Sequence, residues 1–484
     1  MKNQPKNHWL ILIILAAAQF MVVLDSSVVN VALPAILRSF TMTTSSLQWV
    51  VTAYTLTFGG FLLLGGRAAD LYGRRKIFLI GVGFFGIVSL LDGLSPNGVF
   101  LISLRALQGL AGAFMSPAAL SIVLVSYREG HERNIALSVW GAVAAGGAAA
   151  GVLLGGVLTQ YFGWRWNFFI NVPISLIILY LAYKNVPKHE SEETHNDLDL
   201  PGAISVTLGM ILIVYGLVTA PSHGWTKSTT LTYFAAGLVS LIFFIWNENR
   251  VKNPLIPLSV FKIRNLTGAN LTIFPVIASM FSLFFFLSLY IQNVLHYSPV
   301  RTGLAFLVVP VMIALAATNV PRIIAKIGAK PVLIIGPLFI AAALVYLTRL
   351  PVDGKYFTDV LPSLVLLGLG AGASFVAGTI TATSGISAKK SGLASGILNT
   401  TQQIGGSLGL AILSGIATSA TLNSLKHLPK NIAAKSIPAY TQVQGTHKAF
   451  LIGTFIALSA SLVAFLVIKS VKPTSNAPVV SAAH

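Results

Sequence analysis

GRAADLYGRRKIFLIG, residues 66–81, has a second copy in the chain. PRIIAKIGAKPVLIIG, residues 321–336, repeats it at an offset of 255. The alignment puts Arg322 on Arg67, Gly328 on Gly73, Lys330 on Arg75 and Gly336 on Gly81. Each copy joins the end of one apolar segment to the start of the next. Internal repetition of such a junction is the mark of a membrane protein built from two equivalent halves. Because both copies run the same way, the halves are expected to be parallel, with six helices each.

The composition supports that reading. The chain has 484 residues, of which 55% are hydrophobic and only 9% charged. A soluble domain carries roughly 25% charged residues. Polar and Gly/Pro punctuation divides the apolar sequence into fourteen spans: 9–34, 47–69, 77–95, 98–125, 134–160, 166–186, 201–220, 229–247, 267–292, 301–323 (interrupted by Pro310), 331–350, 359–383, 393–420 and 447–468. Each is long enough for a transmembrane helix, and no short alternating segments point to a β-barrel. The first span is too long for a signal-peptide core, so it reads as a retained helix. The expected fold is an all-α integral membrane protein. Residues 1–187 form one six-helix bundle, and 188–265 a linker with two inserted helices. Residues 266–469 form the second bundle, and 470–484 a cytoplasmic tail.

The net charge of +19 is a matter of topology rather than of nucleic-acid binding. With the N-terminus inside, 21 Lys/Arg fall in inner segments, 10 in outer ones and one, Arg105, within a span. That bias follows the positive-inside rule. An outer loop with four lysines, 421–448, runs against it. The linker HESEETHNDLDL, 189–200, holds five of the 13 acids and reads as solvated. No cysteine is present, which excludes disulfides and thiol ligands. The nine histidines show no metal-ligand spacing, and GxSxG, Walker A and HExxH patterns are missing. Nothing therefore points to an enzyme or an ATP-driven pump.

Five stretches, one of them overlapping the repeated loop, carry a family resemblance: LDSSVVNVALP (24–34), GGRAADLYGRRK (65–76), LRALQGLAGAFMSPAAL (104–120), WRWNFFINVP (164–173) and ASGILNTTQQIGGSLG (394–409). Together they make the chain resemble the major facilitator superfamily. In particular it is similar to the fourteen-helix drug/proton antiporters of the EmrB/QacA type. The resemblance implies export of hydrophobic small molecules across a bacterial cytoplasmic membrane by alternating access, with both termini cytoplasmic. The proton gradient would supply the energy, no cofactor or metal would be needed, and a monomer would suffice. One departure stands out. The helix-5 antiporter signature, roughly GxxxGPxxGG, reads GAAAGVLLGG here, with Val152 at the proline. Uptake or metabolite transport by the same fold therefore remains the alternative, with a membrane sensor a distant third.

Asp25 is the first candidate for chemistry. An acid at membrane depth costs at least a few kcal/mol, in a span that has ample apolar residues. Burial disfavours an ionised carboxyl and a nearby cation favours it, so a group between the two can load and release a proton. Asp25 lies about nine residues, or ~13 Å, below the outer end of its span, and Arg105 about eight, or ~12 Å. The matching depth predicts that Arg105 holds Asp25 ionised in one state and frees it in another. The competing reading is a permanent ion pair, or a cap on broken backbone at Ser26 and Ser27. Asp92, near an outer end, reads as a snorkelling or capping residue. The second half has no deep acid, so one acid is expected to carry coupling. A second buried counter-charge for a dicationic substrate is not expected either.

The repeated loop reads as a gate. By the family's geometry Asp70 faces the start of the thirteenth helix near residues 391–393, stabilised there by the helix dipole, with Gly73, Arg74 and Arg75 supporting it. Gly147, Gly151 and Gly155 share one face and permit close helix approach; the resemblance pairs that helix with the other half. Gly405, Gly406 and Gly409 offer a similar face on the thirteenth helix. For substrate the candidates are Gln48, Trp49, Tyr54, Gln108, Met115, Tyr290, Asn399, Gln402 and Gln403, with Phe281, Phe284, Phe285 and Phe286 crowding the ninth span. Aromatic walls with few polar groups suit apolar ligands.

Overall fold

The computed structural model describes residues 8–127, 130–187, 198–384, 388–429 and 433–469. Most of the acidic linker and the tail from residue 470 lie outside them. Fourteen helices long and apolar enough to cross a membrane follow one another, and no strand occurs among the described residues. They are α1 (His8–Phe40), α2 (Thr44–Tyr72), α3 (Arg74–Gly93), α4 (Gly98–Ser126), α5 (Ile135–Tyr161), α6 (Trp166–Asn185), α7 (Leu200–His223), α8 (Ser228–Glu248), α9 (Arg264–Asn293), α10 (Pro299–Ile327), α11 (Ala329–Leu347), α12 (Tyr356–Thr383), α13 (Gly392–Lys426) and α14 (Ile437–Val467). The end at which α1 begins is called proximal and the opposite end distal.

The two copies of the repeated loop adopt the same turn. Gly73 has φ +94° and Gly328 φ +84°, a region that a Cβ makes costly. Each glycine ends one helix and begins the next with no intervening residue, so the chain turns sharply from α2 into α3 and from α10 into α11. In α10 the break comes at Leu307, three residues before Pro310. The proline thus falls in the first turn of the following segment, where its missing N–H leaves no gap.

Helix α1 runs on to Phe40, six residues past the expected end, with Pro34 inside it. Proline lacks the N–H that would bond the carbonyl four residues back, here that of Asn30. The freed oxygen accepts the Ser288 hydroxyl of α9 at 2.7 Å, and the next carbonyl, of Val31, accepts Gln292 Nε2 at 2.9 Å. The proline that closes LDSSVVNVALP therefore prepares a contact between the two halves. Further distal contacts join α5 to α10 through Gln160 Oε1 and Val300 N (3.2 Å), and α2 to α13 through Ser45 and Thr418 (3.2 Å). Deeper, Thr55 and Ser407 meet at 2.5 Å.

The glycines of α5 correct the expectation. A Cβ on Gly147, Gly151 or Gly155 would meet α1 of the same half: Phe20 O at 3.2 Å, Ser27 Cβ at 2.6 Å and Val28 O at 2.8 Å. Their shared face lets α1 and α5 touch backbone to backbone. The contact with the other half comes from the next face of the helix, one residue on, where Gly156 abuts Pro299 and the Val152 carbonyl abuts Gly303. Gly405, Gly406 and Gly409 similarly face α9, within their own half. The inserted helix α7 lies on the seam between α2 and α13, with Val214 and Val218 against Leu56 and Ala411, while α8 packs on α7.

Ser288→Ala leaves the Asn30 carbonyl unpaired and is expected to cost about 1–3 kcal/mol. In Pro34→Ala the helix supplies its own donor to that carbonyl. Thermal unfolding of the two single variants and the double variant checks this: the Ser288 penalty shrinks in the Pro34→Ala background, and equal penalties in both backgrounds would refute the freed-carbonyl account.

Candidate functional site: a buried ionic cluster beneath a distal cavity

Five helices of the first half converge on one guanidinium. Arg105 projects from α4 and is 1% exposed; Asp25, on α1, is 0% exposed. Arg105 Nη1 donates to Asp25 Oδ2 at 2.6 Å. Arg105 Nε donates to the Val50 carbonyl of α2 at 3.0 Å, and Nη1 also reaches Gln108 Oε1 one turn along α4. The Tyr54 ring lies 4.3 Å from the guanidinium carbon and the Phe168 ring 5.7 Å, within cation–π range.

The other oxygen of Asp25 is equally engaged. Oδ1 accepts from Gln108 Nε2 at 3.0 Å and from Asn171 Nδ2 of α6 at 2.9 Å. Gln108 Nε2 also donates to Ser89 Oγ of α3 at 2.8 Å. A charge taken out of water is tolerable only when paired and hydrogen-bonded, and this cluster meets both conditions. The helix is unbroken at Ser26 and Ser27, where the Ser27 hydroxyl bonds back to the Val23 carbonyl. Asp25 thus caps no broken backbone; its two oxygens face a cation and two amides.

Asp92 departs from its expected role. It is 0% exposed, so it does not snorkel. Neither oxygen has a hydrogen-bond partner among the described residues, so it caps nothing there.

Asp70 bonds Arg74 at 3.1 Å, one turn away, and is 43% exposed at its side chain. Arg75 donates to the Tyr183 carbonyl at the end of α6 and lies over the Tyr183 ring. These groups join α2, α3 and α6 of one half. The Ser391 side chain lies outside the described residues.

A cavity of about 1560 Å³ opens at the distal end between the halves. Trp49, Tyr215, Phe286 and Leu289 give it apolar walls, and Asn97, Asn293 and Gln442 add amides. Of the expected substrate contacts Trp49 and Phe286 line it, Trp49 tilted against Tyr215 of the inserted α7. Gln48 is buried beside Trp49, with neither amide atom hydrogen-bonded among the described residues. Tyr54 and Gln108 belong to the ionic cluster. Met115 is sealed against Gly81. Tyr290 is fully buried and donates to the Pro351 carbonyl at 2.6 Å, tying α9 to a distal loop. Gln402 and Gln403 are partly buried, Gln403 packing on Gly59 of α2, and Asn399 is exposed. Phe281 packs on Gly406 and Phe284 on Phe306, whereas Phe285 is sealed in the core.

Asn171 and Ser89 were not singled out in the sequence, although both complete the cluster. The signal for Asn171 was available: an amide inside an apolar span, within the quoted WRWNFFINVP. Ser89 carried none, since a lone serine in a membrane helix most often bonds its own backbone.

The sequence profile of the Major Facilitator Superfamily matches residues 15–410. The chain is 41% identical to the puromycin resistance protein of Streptomyces alboniger, over 86% of this chain and 83% of that one. It is 37% identical to the cephamycin export protein of Amycolatopsis lactamdurans, over 85% and 86%. With the lincomycin resistance protein of Streptomyces lincolnensis it shares 35%, over 87% and 86%. Among solved structures, an inward-facing bacterial homologue of the human lysosomal transporter Spinster superposes with a TM-score of 0.69 at 15% identity, covering 96% of this chain and 98% of that one. At that identity the likeness is one of fold.

Arg105→Leu leaves Asp25 buried without its cation and is expected to cost about 3–5 kcal/mol. Adding Asp25→Asn removes the stranded charge, so the double variant is expected to unfold above the temperature of Arg105→Leu alone. Additive losses in detergent-solubilised protein would show that the two residues are not coupled.

Proposed function

The chain belongs to the major facilitator superfamily, and we propose that it is a proton-coupled exporter of hydrophobic small molecules. The single observation that carries the coupling is the buried Asp25–Arg105 pair. It is the one ion pair between fully buried side chains among the described residues, and it joins helices of the half that meets α9, α10 and α13 at the seam. The names of the relatives support drugs as the cargo: three are antibiotic resistance or export proteins.

Protonation of Asp25 removes the charge that Arg105 is paired with, and the two amides then face a neutral acid. The free energy of that exchange biases one arrangement of the halves over the other. A proton entering from the distal side and leaving on the proximal side would drive substrate the opposite way. The lysine and arginine bias supports a cytoplasmic proximal end, with both termini inside. The proton gradient supplies the energy; no cofactor, metal or covalent step takes part, and a monomer suffices.

Two other features fit export. The distal cavity is wide, with aromatic and aliphatic walls interspersed with Ser and Thr hydroxyls, and suits release of bulky, mainly apolar molecules. The Asp70–Arg74 loop ends α2, a helix that packs on α13, and would serve as the proximal latch when the distal side opens. Substrates are expected to be neutral, monocationic or zwitterionic.

The test is efflux of ethidium and norfloxacin from a pump-deficient bacterial host, with and without an uncoupler. Wild type is expected to expel one or both only while the proton gradient lasts, and Asp25→Asn to expel neither. Well-expressed wild type that expels neither compound would overturn the drug assignment.

A further inference from the structure

Asp92 is the second carboxyl of the first half's core. It stands three residues beyond Ser89 on α3, about 4.5 Å further distal along the same face. Ser89 is bonded to Gln108 and lies 3.5 Å from Asn171 Nδ2, so that face of α3 looks into the Arg105 cluster. Arg105 and Asp25 are the charges that act on Asp92. The remaining titratable neighbours are Tyr54 on α2, over the guanidinium, and Arg165 ahead of α6. Arg165 is engaged elsewhere, donating to the Ser95 carbonyl at 3.2 Å and stacking on Trp164. Asn167, Asn171 and Ser175 on the α6 side carry no charge.

The core of the first half therefore holds two fully buried acids and one cation, whose ion pair goes to Asp25. Asp25 takes three donors at 2.6–3.0 Å. Asp92 takes none among the described residues. A carboxylate without donors in a dry core costs several kcal/mol, and a neutral acid far less. The arrangement fits an ionised Asp25 on Arg105 beside an Asp92 that keeps its proton.

We propose that Asp92 is a second proton site, a relay that passes its proton to Asp25 while Arg105 moves its ion pair from Asp25 to Asp92. The proposal rests on the reading of Asp25 as the coupling group. The exchange balances: Asp92 loses one proton and becomes the anion, Asp25 gains it and becomes neutral, and Arg105 keeps one counter-charge throughout. A proton from the distal end then reloads Asp92, the next-to-last residue of α3 at that end. One proton crosses per cycle.

Infrared spectroscopy of the full-length protein in lipid nanodiscs reads the protonated carboxyl directly through its C=O stretch. At neutral pH, wild type minus Asp92→Asn is expected to show one carboxylic-acid band; no band would overturn the proposal. In an Asp25→Asn background Arg105 has only Asp92 to pair with. The difference between Asp25→Asn and Asp25→Asn/Asp92→Asn is then expected to lose that band, and a band of unchanged size would equally overturn it. Asn is a neutral near-isostere of an acid that makes no hydrogen bonds, so the variants are expected to fold. Because these spectra need no transported compound, failure of ethidium efflux would count against the export reading and leave the protonation result standing.

Discussion

A guanidinium with almost no exposure governs the first half. Arginine does not give up its proton inside a protein, so Arg105 must meet a counter-charge and acceptors wherever it is buried. α1 supplies the carboxylate, α2 a carbonyl and an aromatic face, and α4 an amide. α3 and α6 hold those groups in turn through Ser89 and Asn171. Removing one partner of such a pair costs 3–5 kcal/mol, several times a neutral hydrogen bond. The relative placement of these five helices is therefore tied to the charge of one site. Among the described residues the second half has no comparable centre. Its buried hydroxyls, such as Thr272, Ser282 and Thr454, bond the backbone of their own helix, and its packing is apolar.

The seam between the halves is of a different strength. The Asn30 and Val31 carbonyls meet Ser288 and Gln292, Ser45 meets Thr418, and Thr55 meets Ser407. All are neutral contacts, each worth about 0.5–1.5 kcal/mol net. Small residues let the backbones approach there, with Gly156 against Pro299 and Gly59 against Gln403. A strong, charge-centred half joined to an apolar half by weak contacts suits movement of the halves as units. The inserted α7 adds apolar surface along that seam, touching both α2 and α13.

Much of this was legible before any coordinates. The repeat at 66–81 and 321–336 carried the two-half architecture because a turn with positive φ needs its glycine, and both copies kept one. Asp25 and Arg105 stood out because ionisable residues are rare at membrane depth. Other features were hidden for definable reasons. Spacing shows that Gly147, Gly151 and Gly155 share a face, but not which neighbour that face meets; it meets α1. Asp92 lies near a helix end in the sequence, yet α6 and its approach cover it, through Phe169 against Gly93 and Arg165 against Ser95. Polar and aromatic residues in the spans suggest a lining, but a polar group in a membrane core is often committed to its neighbours, as Gln108 is here.

Helix α1 links the two levels of strength. Asp25 and the freed carbonyl of Asn30 are five residues apart, about 7.5 Å along one continuous helix. Gly147, Gly151 and Gly155 hold that same stretch against the α5 backbone. A change in what Asp25 binds thus acts on a helix that also makes seam contacts. The energies are ordered in the right way for coupling. The ionic cluster is worth more than any single seam contact, so altering its charge outweighs what holds the distal ends of α1 and α9 together. Pro34 ties the same helix to the seam, because the carbonyl it exposes finds a hydroxyl of the other half rather than an amide of its own helix.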